Sequence, residues 1–199
     1  WFVSALGFGI SIPFVSIYFH GTLGMSLAQI GLFFGFLAVV RSFFQLLGGE
    51  ISDRYDRRKS MIHYQWVRAA AFLITAAAIY RDWGFWPVAA SILINSVFGA
   101  LYQPAANAAV SDILPEQQRL DGFAVVRSSM NLGWAAGPAL GGFLAAMSYG
   151  LLFVMSGLIT GVSAVLVLLF LRLPETGKPR ERFRLSDLVA VRQDPLLAV

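Results

Sequence analysis

Residues 128–171 read SSMNLGWAAGPALGGFLAAMSYGLLFVMSGLITGVSAVLVLLFL, a run without a single Asp, Glu, Lys or Arg. A helix rises about 1.5 Å per residue and the hydrocarbon core of a bilayer is about 30 Å thick, so roughly 20 apolar residues make one crossing. The run is long enough for two. Charge-free runs over 1–40 and 83–111 extend the pattern toward the amino terminus. Over the 199 residues, 57% are hydrophobic and 13% charged, about half the charged share of an ordinary soluble domain. In hydrocarbon every backbone N–H and C=O must be bonded internally, which leaves helices or closed barrels. Barrel strands alternate apolar and polar residues, and Gly157 to Leu171 shows no such alternation.

Gly, Ser, Pro and charged residues divide the chain into six predicted spans: Trp1–His20, Leu27–Ser52, Met61–Tyr80, Phe85–Ser111, Leu120–Ala146 and Leu151–Leu171. The expectation is an all-α membrane protein, with a six-helix bundle over 1–171 and a polar segment over 172–199. The first span lacks the basic start and small-residue cleavage site of a signal peptide, and it has no initiator Met, which suggests a start inside a longer chain. Lys and Arg set the orientation. Four lie between spans two and three (Arg54, Arg57, Arg58 and Lys59), one between four and five (Arg119) and six after Leu171, against Arg81 alone on the opposite side. Short basic loops stay in the cytoplasm, so both ends are expected there, in the cell's cytoplasmic (inner) membrane. Topology thereby accounts for the net charge of +4 and leaves no reason to expect nucleic acid as a partner.

Without Cys the chain has no thiol chemistry, and its two His residues, His20 and His63, lie near opposite ends of different spans. No metal site, cofactor site or nucleophilic triad can be assembled, and an enzyme is not expected.

The loop between spans two and three carries the strongest local signal: Gly49, three residues, Asp53-Arg54, Tyr55, Asp56, Arg57-Arg58. A Gly admits a neighbouring helix, an acid at a helix end can face another helix's N-terminus, and arginines can pair with acids elsewhere. Such contacts make a breakable latch. The stretch resembles the loop signature of the major facilitator superfamily, which is Gly, three residues, Asp, Arg, any residue, Gly, Arg, then Arg or Lys. Five of six specified positions match. The departure is Asp56 in place of Gly, where a tight turn is expected to need positive φ, which Asp tolerates better than most residues. The resemblance implies the amino-terminal half of a transporter. It gives Asp53 and Arg57, with Arg54 and Arg58 beside them, a role in a charge network that holds one conformation, with Asp112 as acidic partner.

Span five carries a second signal: Gly133, three residues, Gly137-Pro138, two residues, Gly141-Gly142. Small residues at four-residue spacing permit close helix packing, and Pro138 removes a backbone donor. The stretch is similar to the fifth-helix motif of the superfamily's antiporters, drug/proton antiporters among them, with Ala124 where the family has an upstream Gly. Gly99 to Ala105, followed by Asp112, Pro115 and Arg119, also looks like drug-efflux members. Gly48-Gly49 and Gly141-Gly142 hold matching places in two three-helix inverted repeats, as the family's symmetry implies.

Polar groups inside the spans are the candidate substrate contacts. On span five, Arg127, Asn131 and Pro138 share a face. Span four offers Asn95, Tyr102 and Gln103, and span two carries Arg41 and Gln45 at four-residue spacing. Arg68 is expected to snorkel to the cytoplasmic surface and to be structural. Where family members often have an Arg in span four, this chain has Asn95. No carboxylate sits deep in a span, so any coupling acid lies elsewhere or is not used. Phe8, Phe14, Tyr18 and Phe19 of span one suit a hydrophobic substrate or face lipid.

After Leu171 a polar linker leads to Ser186-Asp187, which can cap a short amphipathic helix with Leu185, Leu188 and Val189 on one face, and a seventh span is expected near Val199. The expected function is efflux of small hydrophobic or drug-like compounds by alternating access, with protons as candidate coupling ion. The expected partners are membrane lipids and a carboxyl-terminal six-helix half. An uptake symporter, an amphipathic-lipid flippase and, from another class, a non-transport scaffold are the alternatives.

Overall fold

The computed structural model describes residues 1–173. The polar segment's amphipathic helix and the expected seventh span fall outside the described residues. Six long helices follow in order: α1 (Phe2–Gly21), α2 (Leu27–Arg54), α3 (Arg57–Tyr80), α4 (Phe85–Ile113), α5 (Arg119–Met147) and α6 (Tyr149–Phe170). A 3-10 turn, Glu116–Gln118, precedes α5. Four of them, α1, α2, α4 and α6, are long and apolar enough to cross a membrane. The other two are as long but more polar, since α3 carries Arg57, Arg58, Lys59 and Arg68, and α5 carries Arg119, Asp121 and Arg127.

Boundaries follow from capping. Ser26 and Gln29 close a reciprocal capping box on α2: the Gln29 amide donates to Ser26 Oγ (3.3 Å), and the Ser26 amide to Gln29 Oε1 (2.9 Å). The start of α3 differs from expectation. It begins at Arg57, four residues before Met61, because the Asp56 carboxylate caps it by accepting from the Lys59 amide at 2.9 Å. Asp56 has φ −58°, not the positive φ expected of the turn. An N-cap needs extended backbone and a side-chain acceptor, and Asp supplies both where the family pattern has a Gly that supplies no acceptor.

The packing repeats itself. Helix α1 lies against α5 and α6; α4 lies against α2 and α3; α3 and α6 pack on each other at the centre. Exchanging α1 with α4, α2 with α5 and α3 with α6 returns the same set of neighbours. Three helices make each repeat, an odd number, so the second repeat enters from the opposite side and the repeats are inverted. The neighbours form a series, α5, α1, α6, α3, α4, α2, with α2 and α5 at its two ends.

Glycines set the close approaches. A methyl group added at Gly137 would lie 2.6 Å from the Gly9 carbonyl carbon, and one at Gly141 would lie 2.3 Å from the Ile10 carbonyl oxygen. Helix α5 therefore touches the α1 backbone directly, which only glycine permits. In the other repeat Gly48 does the same against α4, where a methyl would lie 3.1 Å from Leu101 Cα. Gly49 has nothing within 4 Å, so among the described residues the close approach at this end of α2 belongs to Gly48. Phe19, Phe72, Leu152 and Phe153 fill the apolar centre. Tyr18 and Phe19 thus belong to the core and face neither lipid nor substrate, and Phe14 lies against Gly141 and Gly142.

Candidate functional site

Two places gather the polar residues. The first is a small cleft, with room for about 60 Å³, between the α1–α5 pair and the α4–α2 pair. From α1 come Ser4 and Phe8; from α4, Ser96, Tyr102 and Gln103; from α5, Met130 and Trp134; and from α2, Arg41. Behind them α3 contributes Arg68. Close packing of α5 on α1 through Gly133 and Gly137 brings Trp134 edge-on to Phe8, with ring centroids 5.2 Å apart.

Arg68 does not reach the surface. It is the twelfth residue of the 24-residue α3, about 17 Å from the first residue of that helix, and only 4% of it is exposed. The earlier start of α3 is the reason: measured from Arg57 it lies three turns deep, too far for its side chain to snorkel. Its Nη1 donates to Gln65 Oε1 at 2.7 Å and to Ser4 Oγ at 3.3 Å. Gln65 is itself fully buried and donates to Ser4 Oγ (2.8 Å) and Ser163 Oγ (2.9 Å), which ties α3 to α1 and α6. Arg68 Nε is buried without a hydrogen-bond partner. A charge at mid-membrane depth is disfavoured by about 3 kcal/mol or more unless something compensates it. The Phe8 ring lies 5.8 Å from the Arg68 guanidinium and 5.7 Å from that of Arg41, and an aromatic face offers each about 0.5–2 kcal/mol. Two cations share one ring. Among the described residues lining the cleft there is no Asp or Glu.

Arg41, Tyr102 and Gln103 line the cleft. Asn95 turns instead to α3, where its Nδ2 donates to the Arg68 carbonyl at 3.1 Å and its Oδ1 is buried without a partner. Gln45, Arg127 and Asn131 are exposed outside the cleft, as is Pro138. Sequence reasoning missed Arg68, Phe8's pairing with two cations, and Trp134. The signal available was the i, i+4 pair Met130 and Trp134, which lies about 60° round α5 from the Gly133–Gly137 stripe, nearer the packing seam than Arg127 and Asn131.

The second place is the loop between α2 and α3. Arg57 Nη1 donates to Asp112 Oδ2, and the pair is largely buried, with 9% and 13% of the side chains exposed. The start of α3 is thereby fastened to the end of α4. Arg58 donates to the Leu168 carbonyl of α6, and Arg54 pairs with the exposed Glu50 one turn earlier in α2. Asp53 lies in the last turn of α2, with its side chain outside what the structure describes.

Inverted three-helix repeats, apolar helices and a cleft at their centre define a multi-pass membrane transporter fold. The family model described as "Major Facilitator Superfamily" matches residues 2–199, and the chain belongs to that family. Among curated relatives, it is 31% identical over 143 residues to a Na(+), Li(+), K(+)/H(+) antiporter of Planococcus maritimus, covering 69% of this chain and 32% of that protein. An uncharacterised MFS-type transporter of Bacillus subtilis, YqjV, is 29% identical over 180 residues, covering 89% and 42%. The multidrug resistance protein MdtH of Cronobacter sakazakii is 27% identical over 164 residues, covering 82% and 38%. The chain thus spans between 32% and 42% of the length of these relatives.

Proposed function

We propose that this chain is the amino-terminal half of a secondary active exporter of small amphipathic, drug-like compounds, and that it works by alternating access. The observation that carries the reading is the cleft, where aromatic walls from α1 and α5 stand beside polar groups from α2, α3 and α4. A substrate that enters from the membrane or the cell interior meets apolar rings and a few placed polar groups, as small-molecule sites generally offer. The uncovered faces of α2 and α5, with Phe36, Phe43, Leu132 and Phe143 exposed, would meet a carboxyl-terminal six-helix half that closes the cleft. In this reading both ends of the bundle lie in the cytoplasm, on the side of the basic loop.

The loop cluster is the second part of the proposal. Gly49, Asp53, Arg54, Arg57, Arg58 and Asp112 act as a latch at the cytoplasmic end. The Arg57–Asp112 pair holds α3 to α4, so that this half moves as one body when its contacts with the other half break and re-form. Relatives carry the words antiporter and multidrug resistance in their names, which favours export and proton exchange for this chain over uptake. The test is the full-length protein in proteoliposomes with an imposed proton gradient and a neutral lipophilic dye inside or outside. Gradient-driven dye movement above that of empty liposomes is expected; movement that is absent, or independent of the gradient, contradicts export by proton exchange.

A further inference from the structure

We propose that the cleft selects the anionic group of its substrate, a carboxylate, sulfonate or phosphate on an aromatic or aliphatic body, through Arg68 and Arg41. This inference rests on the transport reading for its setting and goes beyond it in naming a charge class.

Neither cation in the cleft is compensated by a carboxylate of the described residues that line it. Arg41 is the fifteenth residue of the 28-residue α2 and Arg68 the twelfth of the 24-residue α3, so each guanidinium sits near the midpoint of its helix. Both lie over the one Phe8 ring. Like charges held that close at membrane depth repel each other, and among the described residues no carboxylate enters the cleft to balance them. The neutral partners of Arg68 orient it without neutralising it: Gln65 and Ser4 accept from Nη1. Its Nε remains buried with no acceptor, close to Gly99, where an added methyl would lie 3.4 Å from that nitrogen. Bare glycine on α4 therefore lets the Nε edge of the guanidinium lie against the α4 backbone, in the wall of the cleft. A guanidinium presents parallel N–H donors in a fork that matches carboxylate, sulfonate and phosphate oxygens.

The rest of the lining fits the body of such a molecule. Phe8 and Trp134 meet edge to face on one side, and Tyr102 and Gln103 stand opposite on α4. Arg41, half-buried at the cleft, can accompany the anion as it enters, while Arg68 is fixed by its hydrogen bonds. A cationic ligand would meet two positive charges first.

The same anionic chemistry could come from a carboxylate elsewhere in the full polypeptide, and the experiment separates the two sources. Full-length protein in nanodiscs of zwitterionic lipid is titrated calorimetrically with three probes of one shape: 2-naphthalenesulfonate, 2-naphthamide and 2-naphthylmethylammonium. The sulfonate is expected to bind at least tenfold more tightly than the amide, with the ammonium weakest. Arg68→Gln and Arg41→Gln are each expected to lower sulfonate affinity tenfold or more and to change amide affinity less than threefold, and Arg41→Lys to keep most of it. Arg41 is not buried, so its variant decides the matter if Arg68→Gln fails to fold. Equal binding of the three probes, as an internal carboxylate would produce, overturns the proposal. So does a preference for the ammonium, or a sulfonate preference that survives Arg41→Gln. A parallel flux measurement keeps the two readings apart: anion-selective binding without flux of any probe sinks the transport reading alone, and flux of the amide without anion preference sinks this inference alone.

Discussion

Substituting Gly137→Ala places a methyl group 2.6 Å from the Gly9 carbonyl carbon, 2.8 Å from Gly9 Cα and 2.9 Å from the Ile10 nitrogen. All three neighbours are backbone atoms of α1, so no rotamer change can relieve the overlap. Non-bonded carbons rest about 3.5–4.0 Å apart, so α1 and α5 must separate by about 1 Å. Overpacking of that kind destabilises by about 1–3 kcal/mol, against which Ala is favoured over Gly in a helix interior by roughly 1 kcal/mol. Two internal controls remove the propensity term. Gly142→Ala meets only Phe14 Cζ at 3.7 Å, and Gly49→Ala meets nothing within 4 Å, so both should be neutral or slightly stabilising. The contrast between Gly137→Ala and these controls is therefore about 1–3 kcal/mol. With an unfolding entropy of about 2.1 cal/mol/K per residue and a full-length protein about twice as long as this chain, the shift is about 1 °C per kcal/mol, or about 1–4 °C in apparent melting temperature. Heating the full-length protein in detergent, followed by fluorescence-detected size exclusion, measures it. Spreading α1 from α5 also draws Trp134 off Phe8, so dye flux should fall with stability. Gly137→Ala as stable as Gly142→Ala would refute the direct backbone contact of α5 with α1.

Further substitutions probe the loop and the buried network. Asp56→Ala should lower stability by about 1 kcal/mol through loss of the α3 cap, and Asp56→Gly by only a few tenths, measured in the same melts. Arg57→Ala and Asp112→Ala should each destabilise, and a double-mutant cycle should return a coupling of about 1–3 kcal/mol, since the pair is largely buried; a coupling near zero would remove it as a clamp between α3 and α4. Gln65→Leu strips Arg68 and two serines of partners and should destabilise by about 1–3 kcal/mol, with a larger loss than Ser163→Ala in the same assay.

Much of the architecture was legible because a bilayer leaves few solutions. Three charge-free runs, with the Gly, Ser, Pro and charged residues that punctuate the chain, marked the six helices, and the matching Gly pairs of spans two and five pointed to the repeats that the packing of α1 to α6 displays. Side-chain placement was harder to read. Arg68 looked able to reach the surface because the start of α3 was placed at Met61; the Asp56 cap adds four residues beneath it and leaves it near the helix midpoint. Asn95 looked like a cavity residue from its position in a polar stripe, yet the bond it makes is to a carbonyl of α3, a partner remote in sequence. Periodicity tells which residues share a face; it does not tell which face the neighbouring helix takes. The cleft followed the α5 flank nearest the glycine seam, so Met130 and Trp134 line it while Arg127 and Asn131 do not.

Alternating access requires that a residue in the cleft be reached from each side of the membrane in turn. The chain has no Cys, so Gln103→Cys, half-buried in the cleft, introduces a reporter that is unique within it once any thiol elsewhere in the full polypeptide is replaced. Membrane-impermeant thiol reagent is applied in turn to each face of oriented proteoliposomes, with and without a transported dye. Labelling from both faces is expected, with the ratio of the two rates shifted by dye. Labelling from one face alone, unchanged by dye or gradient, would contradict alternating access.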